Sequence, residues 1–127
     1  MKNNIRIGKI SAIDYAAGRV RVVYHDRDDA VTSLIPLLSS EYHMPAVGDQ
    51  VIVLHLSDGS AAGIVLGRVW SDKNMPPESG AGLYRKDLSD KSGEAFIRYE
   101  GGVLKIHAGS IILDGDVTVT GTLTTNT

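Results

Sequence analysis

Polar and apolar residues alternate with a period of two along most of this sequence, and the pattern predicts short β-strands. The clearest stretch is 19–24, where Val20 and Val22 alternate with Arg19 and Arg21. Successive side chains of a strand point to opposite faces, so this stretch has one apolar and one polar face. Long segments with the 3.6-residue apolar period of an amphipathic helix are absent. The sequence therefore predicts an all-β protein.

Five strand-like segments are predicted within residues 1–70. They cover 5–13, 19–24, 31–35, 50–55 and 61–70. Pro36 ends the third segment, and an Asp58-Gly59 pair marks a hairpin between the last two. Five short strands with a long connection after the third are typical of a small closed barrel of the OB type. We therefore predict an OB-like five-stranded barrel over residues 1–70.

Residues 71–93 have the composition of a connection between two folded parts. Pro76 and Pro77 favour an extended backbone, and the glycines and serines that follow favour flexibility. The remainder of this segment is charged and rich in turn residues. We predict a linker and irregular connection over 71–93, with strands resuming at residue 94.

The last twenty residues repeat with a period of six. Gly109, Gly115 and Gly121 occupy the second place of successive hexads, and aliphatic residues recur at the fourth and sixth places. Short glycine-punctuated repeats of this kind are typical of β-helices and other stacked β arrays. Three hexads from one chain would leave two open strand edges and one narrow apolar row, which is marginal in water.

Three copies of the chain wound around a common axis would solve both problems. We therefore predict an intertwined trimeric β-helix, or β-prism, over residues 94–127. Its core is predicted from the apolar residues at alternate positions: Leu104, Ile106, Ile111, Leu113, Val117, Val119 and Leu123.

Composition narrows the class of protein. A length of 127 residues suits one small domain with an appendage, and a net charge of -2 argues against a nucleic-acid binder. The absence of cysteine excludes disulfides and thiolate metal sites. The first six residues lack the apolar run of a secretion signal, and no stretch resembles a membrane span. We therefore expect synthesis in the cytoplasm, with any export by another route.

The order of several short motifs resembles one protein family. In the first half these are GKI at 8–10, GRVRV at 18–22, IPL at 35–37, PAVGDQV at 45–51 and GIVLGR at 63–68. In the second half they are FIRY at 96–99, LKI at 104–106 and DGDVTVTG at 114–121, with Ser92 where the family usually has Asp. Together they resemble the baseplate assembly protein V (central spike) family of contractile-tailed phages and related contractile injection particles. No single motif is specific, but their order is.

The resemblance implies a homotrimeric, non-enzymatic spike at the centre of a baseplate, as part of a virion or extracellular particle. Its partners would be other baseplate or tail-tube proteins and the target cell envelope, which it pierces when the sheath contracts. Some members bind an iron ion at the tip through a His-x-His motif, which this sequence lacks. No metal or cofactor is therefore expected. A blunt spike, a separate tip protein or a truncated chain each remain open.

Four histidines are the first candidates for metal binding or catalysis: His25, His43, His55 and His107. None has a second ligand at metal-binding spacing, so we interpret them as structural. Threefold symmetry could bring three copies of His107 together. However, His107 alternates in step with Val103 and Lys105 and shares their face of the strand, which predicts a solvent-facing ring.

Acidic residues supply the other candidates. Asp26, Asp28 and Asp29 lack the glycine and distal glutamate of a calcium loop, whereas a cation between Asp114 and Asp116 stays open. Acid–base pairs can be drawn between Glu94 and Glu100 or between Asp87 and Asp90, and a nucleophile cluster among Ser39, Ser40 and His43. None is accompanied by a cleft-forming or nucleophile-elbow sequence, so no catalytic residue is predicted.

Two rival functions belong to other classes. An OB-fold module that binds single-stranded nucleic acid would use basic side chains with interleaved aromatics, and the basic candidates are Arg6, Lys9, Arg19, Arg21 and Arg68. The aromatic residues lie mostly in or beside turns, which disfavours that function. A hexapeptide-repeat acyltransferase needs several coils, whereas this chain holds hexads for one.

Overall fold

The computed structural model describes residues 4–56 and 62–126, and it confirms the all-β prediction. Two antiparallel sheets account for the regular structure, and the helical content of the described chain is a single 3-10 turn at His25–Arg27. The chain divides into two compact units, Met1–Met75 and Pro76–Thr127. Each unit is considered by itself. The hairpin predicted at Asp58-Gly59 lies outside the described residues.

The first unit contains six strands joined in one sheet. They are β1 (Ile5–Asp14), β2 (Arg19–Tyr24), β3 (Ala30–Val31), β4 (Ile35–Pro36), β5 (Gln50–His55) and β6 (Gly63–Arg68). Their order is β3-β2-β1-β5-β6, and β4 also pairs with β2. Leu37, directly after β4, forms a parallel bridge with Val65 of β6. The β4 segment therefore touches both β2 and β6, which links the last strand of this order to the second.

The third predicted strand, 31–35, is split into β3 and β4 by Thr32. The Thr32 side chain is fully buried, and its Oγ1 accepts a hydrogen bond of 3.0 Å from the Val22 amide. The Thr32 amide in turn donates to the Val22 carbonyl at 2.9 Å. A side-chain hydroxyl thus replaces one backbone partner, because a threonine can satisfy an amide that the ladder would otherwise pair.

Alternate residues of these strands form one apolar core. Val20, Val22, Val51, Val53 and Val65 are each no more than 1% exposed, and Ile10, Tyr24 and Ile35 complete the cluster. Gly8 lies against this core, where a Cβ would stand 2.6 Å from the Val22 side chain and 2.8 Å from the Tyr24 ring. The core therefore admits only glycine at position 8 without rearrangement.

The second unit contains a three-stranded sheet in the order β7-β8-β9. Its strands are β7 (Tyr84–Asp87), β8 (Phe96–Glu100) and β9 (Val103–His107). Gly101 and Gly102, with φ values of 58° and 83°, form the predicted turn between β8 and β9, since a two-residue hairpin favours positive φ at both positions.

Strand β7 corrects the prediction that 71–93 is wholly linker and irregular connection. Arg85 and Asp87 lie on one face of β7, and Tyr84 and Lys86 lie on the other. Three of these four residues are charged, so β7 lacks the apolar alternation by which the other strands were predicted. Arg85 and Asp87 neutralise each other through two hydrogen bonds of 3.0 Å. The mutual pairing lets charged side chains occupy a covered sheet face.

Residues 108–126 follow β9 and are called the tail. Within the single chain the tail forms no strand, which differs from the strands predicted for each hexad, and its bends include all three hexad glycines. No backbone hydrogen bond joins residues 109–126 to another described residue. The hexads therefore bend at their glycines, and the described part of the chain supplies no neighbouring strand for them to pair with.

Candidate functional site

One face of the β7-β8-β9 sheet is apolar and uncovered. The register pairs Tyr84 with Tyr99 and Tyr99 with Leu104, and it also pairs Ile97 with Ile106. We call this set the apolar sheet face: Tyr84, Ile97, Tyr99, Leu104 and Ile106. Tyr84 is 56% exposed and Leu104 is 62% exposed. A sheet with one buried face normally buries the apolar one, whereas most of the apolar residues of this face stay exposed.

The opposite face of the same sheet carries ion pairs and is shielded only in part, because Glu100 and the β9 residues Val103, Lys105 and His107 are exposed. The Arg85 guanidinium lies 4.1 Å from the centre of the Phe96 ring, and its side chain is only 14% exposed. Phe96 is itself buried, and the His107 ring packs on it with centroids 5.2 Å apart. His107 therefore lies on the face of Val103 and Lys105, as its parity predicted.

Glu78 completes the ionic face. Its Oε1 accepts hydrogen bonds from Arg98 Nε at 2.7 Å and from Arg85 Nη1 at 3.0 Å, and its Oε2 accepts from Arg98 Nη2 at 3.2 Å. The hydrogen bonds from Arg98, followed by those from Arg85, lower the pKa of the Glu78 carboxyl to about 2. Hydrogen bonds from Arg85 likewise lower the pKa of Asp87. The carboxylates are held in the charged form by these arginines.

The tail carries a second uncovered apolar row. We call it the tail stripe, and it consists of the odd-numbered residues Ile111, Leu113, Val117, Val119 and Leu123. All of them are half or more exposed, from 50% for Val119 to 70% for Leu113 and Leu123. The intervening even positions from 114 to 124 hold aspartates and threonines. The stripe is thus apolar at every second residue without any cover from its own chain.

All seven predicted trimer-core residues lie on the apolar sheet face or the tail stripe. None of the seven is buried in the single chain, which brings none of them into an intrachain core. Sequence reasoning missed the other members of the sheet face, Tyr84, Ile97 and Tyr99. For Ile97 and Tyr99 a signal was available, because they flank Arg98 in a predicted strand and therefore share one face.

His55 is the buried histidine of the first unit, and its contacts are structural. Its ring is 4% exposed, with Nε2 at 2.7 Å from the Tyr24 hydroxyl and Nδ1 at 3.3 Å from the Ala62 carbonyl. Because Nδ1 can only donate to that carbonyl, Nε2 is the ring atom placed to accept a hydrogen bond from the Tyr24 hydroxyl. Burial raises the pKa of Tyr24, which keeps the hydroxyl protonated. The Arg6 guanidinium lies 5.5 Å from the Tyr24 ring centre.

The acidic candidates are engaged in local contacts. Asp29 Oδ1 lies 2.6 Å from His25 Nδ1, and Glu94 Oε1 accepts from the Ser89 hydroxyl at 2.8 Å. Asp87 and Glu100 bind Arg85 and Arg98, respectively. Within residues 4–56 and 62–126, no group of three His, Asp or Glu side chains is placed to hold a metal ion, and Asp114 and Asp116 are exposed.

Ser39, Ser40 and His43 share an open cleft of about 600 Å³ in the first unit. Its walls include apolar side chains of the β4 segment and β6, among them Leu37 and Val65. The structure thus brings the three residues to one cavity, although they were considered in the sequence only as neighbours.

Three of the five basic candidates for nucleic-acid binding contact their own chain. Arg6 lies against Tyr24, Arg21 donates to the Thr32 carbonyl at 3.2 Å, and Arg68 donates to Asn74 Oδ1 at 2.6 Å. Lys9 and Arg19 are exposed. The arrangement provides no row of stacked aromatics beside these cations, since Tyr24, the aromatic nearest Arg6, is buried.

Comparison with known proteins identifies no relative, so the apolar sheet face and the tail stripe are interpreted from their geometry. The sequence matches no family model, and it matches no curated protein. In the described part of the chain, no helix has the length and apolar character needed to cross a membrane.

Proposed function

We propose that this chain is the subunit of a homotrimeric, non-enzymatic central spike in the baseplate of a contractile phage tail or phage-like particle. In this assembly an OB-like barrel is followed by a three-chain β-helix that pierces the target envelope when the sheath contracts. The proposal joins the family resemblance of the sequence to the surfaces of the second unit.

The observation that carries the proposal is the set of large apolar side chains that this unit leaves exposed. Arg85 is 14% exposed while Leu113 is 70% exposed. Leaving so many large aliphatic side chains in water opposes folding, at about 25 cal/mol for each Å² of apolar surface that could be buried. A contiguous apolar surface of this kind marks an interface. The tail backbone points the same way, because its N–H and C=O groups lack partners within the described chain and other chains would supply them.

The spacing of the bends favours three copies. Bends at Gly109, Gly115 and Gly121 divide the tail into segments of equal length, and the tail stripe places apolar side chains between them. Three such tails winding about one axis give a prism whose sides are hexads and whose corners are glycines. Stripe residues then face the axis, and the threonines of the even positions face water. Each strand edge is paired with another chain, which removes the free edges that would invite aggregation.

The pairings of the first unit support the barrel part of the proposal. A sheet order of β3-β2-β1-β5-β6, with the β4 segment contacting both β2 and β6, is consistent with an OB-like closed sheet. Such a unit folds around its own core and would present a rigid collar to neighbouring baseplate or tail-tube proteins. A separate tip protein would be the further partner at the opposite end.

The mechanism follows from the interchain pairing. Axial load on a β-helix acts on many interchain hydrogen bonds at once, and a continuous apolar axis opposes bending because any bend would open the core to water. Chemistry at a catalytic centre has no part in this mechanism. The trimer acts by staying rigid under axial load.

Sedimentation equilibrium of the purified chain tests the proposal. A chain mass of 13.6 kDa predicts a trimer of about 41 kDa that survives mild detergent. A monomer at micromolar concentration would overturn the assembly. The spike role is then tested in particles: baseplates assembled with a chain that cannot trimerise should lack central density in electron micrographs and fail to penetrate cells.

A further inference from the structure

The chain segment that enters the second unit is held to the sheet by one side chain. We call residues 76–83 the strap. It begins with Pro76 and Pro77, and its one internal backbone hydrogen bond is a 3.4 Å contact from the Leu83 amide to the Gly80 carbonyl. Among the described residues, its hydrogen bonds to the strands are all accepted by the carboxylate of Glu78.

The arginines that donate to this carboxylate also make other contacts. Arg85 makes two hydrogen bonds of 3.0 Å to Asp87 and stacks on Phe96. Arg98 donates to Glu100 at 3.0 Å. A guanidinium with several partners loses little freedom when one more acceptor binds. Both arginines therefore keep at least one carboxylate partner on the sheet when Glu78 is absent.

We propose that residues 76–83 form a strap latched to the ionic face of the sheet by Glu78 alone, and that this latch sets the length of free chain between the two units. When latched, the second unit begins at the prolines. When released, the eight strap residues become free chain with a fully extended length of about 26 Å. The inference is independent of the proposed spike, because every contact it uses lies within one chain.

Acid is a poor trigger for the release of this latch. The charged groups facing Glu78 are Arg98 and Arg85, with Asp87 and Glu100 behind them, while His107 and Lys105 lie beside Phe96. A carboxyl whose pKa is lowered in the folded state stabilises that state above its ordinary pKa and loses this contribution as pH falls towards about 2. The latch should therefore hold in mildly acidic solution and open to a competing carboxylate or to pulling on the chain.

The test compares Glu78→Gln with Glu100→Gln in the full-length chain. Both changes remove one negative charge from Arg98, but only Glu78 lies in the strap. For Glu78→Gln we expect cleavage by elastase within residues 79–83 to accelerate about tenfold or more, because proteolysis follows the population of the open segment. The heteronuclear NOE of Gly80 and Ala81 should fall in the same variant. Glu100→Gln should change neither measurement.

Each other outcome overturns the proposal. Wild-type cleavage and NOE values in Glu78→Gln would mean that the strap is held without the carboxylate. Equal acceleration in both variants would mean that general loss of charge loosens the face. Loss of amide protection in β8 and β9 of Glu78→Gln would make Glu78 a residue that stabilises the sheet itself. The trimer mass is measured separately, so failure of the latch and failure of the spike proposal are distinguishable.

Discussion

Val53 and Val117 are the same residue type in the same alternating pattern, yet their surroundings are opposite. Val53 in the first unit is 0% exposed, and Val117 in the tail is 60% exposed. The first unit covers its apolar face with its own strands, whereas the second leaves most of its large apolar residues exposed. The comparison teaches that a period of two identifies which face is apolar, while the partner that covers it is decided by how many strands the chain itself can supply.

The largest effect is expected from a charge in the self-covered core. Val53→Asp would place a carboxylate among Ile10, Val20 and Val22 with no cation to pair it. Burying an unpaired charge costs several kcal/mol, about as much as a small domain's whole stability, so the first unit should not fold. Circular dichroism and thermal melting measure this. A cooperative melt near the wild-type temperature would show that position 53 is not in a closed core.

The second largest effect is expected at the matching position of the tail. Val117→Asp would bring like charges together on the axis of the proposed trimer and abolish assembly. Because the core of the first unit consists of that unit's own residues, the unit should keep its fold. Sedimentation should report a mass near 13.6 kDa instead of about 41 kDa.

Thr118→Asp is the control, since it adds the same charge one residue away on the face predicted to meet water. It should leave the trimer assembled. An unchanged mass and melting profile in Val117→Asp would remove Val117 from the proposed core. Loss of the trimer in both variants would mean that the tail tolerates charge on neither face, which contradicts the proposed alternation.

Local alternation predicted the strands well where their apolar residues are covered by the same chain. Strand β2 occupies 19–24, as predicted, with Val20 and Val22 inward. The same pattern did not predict β7, where charged side chains take the place of apolar ones. It also did not predict the break between β3 and β4, where the Thr32 hydroxyl interrupts the ladder. The contacts of Glu78 with Arg98 and of Tyr24 with His55 join residues 20 and 31 positions apart. Such pairs depend on the folded register, so no local pattern could have revealed them.

Glycine positions give a sharper version of the comparison. Gly8→Ala would force a Cβ to within 2.6 Å of the Val22 side chain, whereas an added Cβ at Gly109 meets nothing within 4 Å in the single chain. Overpacking of a tight core costs about 1–3 kcal/mol, so we expect Gly8→Ala to lower the midpoint of urea unfolding of the first unit.

Gly109→Ala should leave the unfolding of the first unit unchanged. If it nevertheless weakens the trimer, the glycine is a crowded corner between chains, which the proposed prism requires. If Gly8→Ala is neutral, the packing around Val22 and Tyr24 is looser than the comparison assumes.

The smallest effect is expected from removing one hydroxyl on each side of the comparison. Tyr24→Phe leaves His55 Nε2 buried without its donor at 2.7 Å, and an unsatisfied buried acceptor costs about 1–3 kcal/mol. Tyr99→Phe removes a hydroxyl from an exposed residue of the apolar sheet face, where surface substitutions change stability by about 0.5 kcal/mol or less. Urea unfolding of the first unit should therefore detect Tyr24→Phe and not Tyr99→Phe. Equal, near-zero effects would mean that water replaces the Tyr24 hydroxyl at His55, and the first unit would then be less completely closed than its core implies.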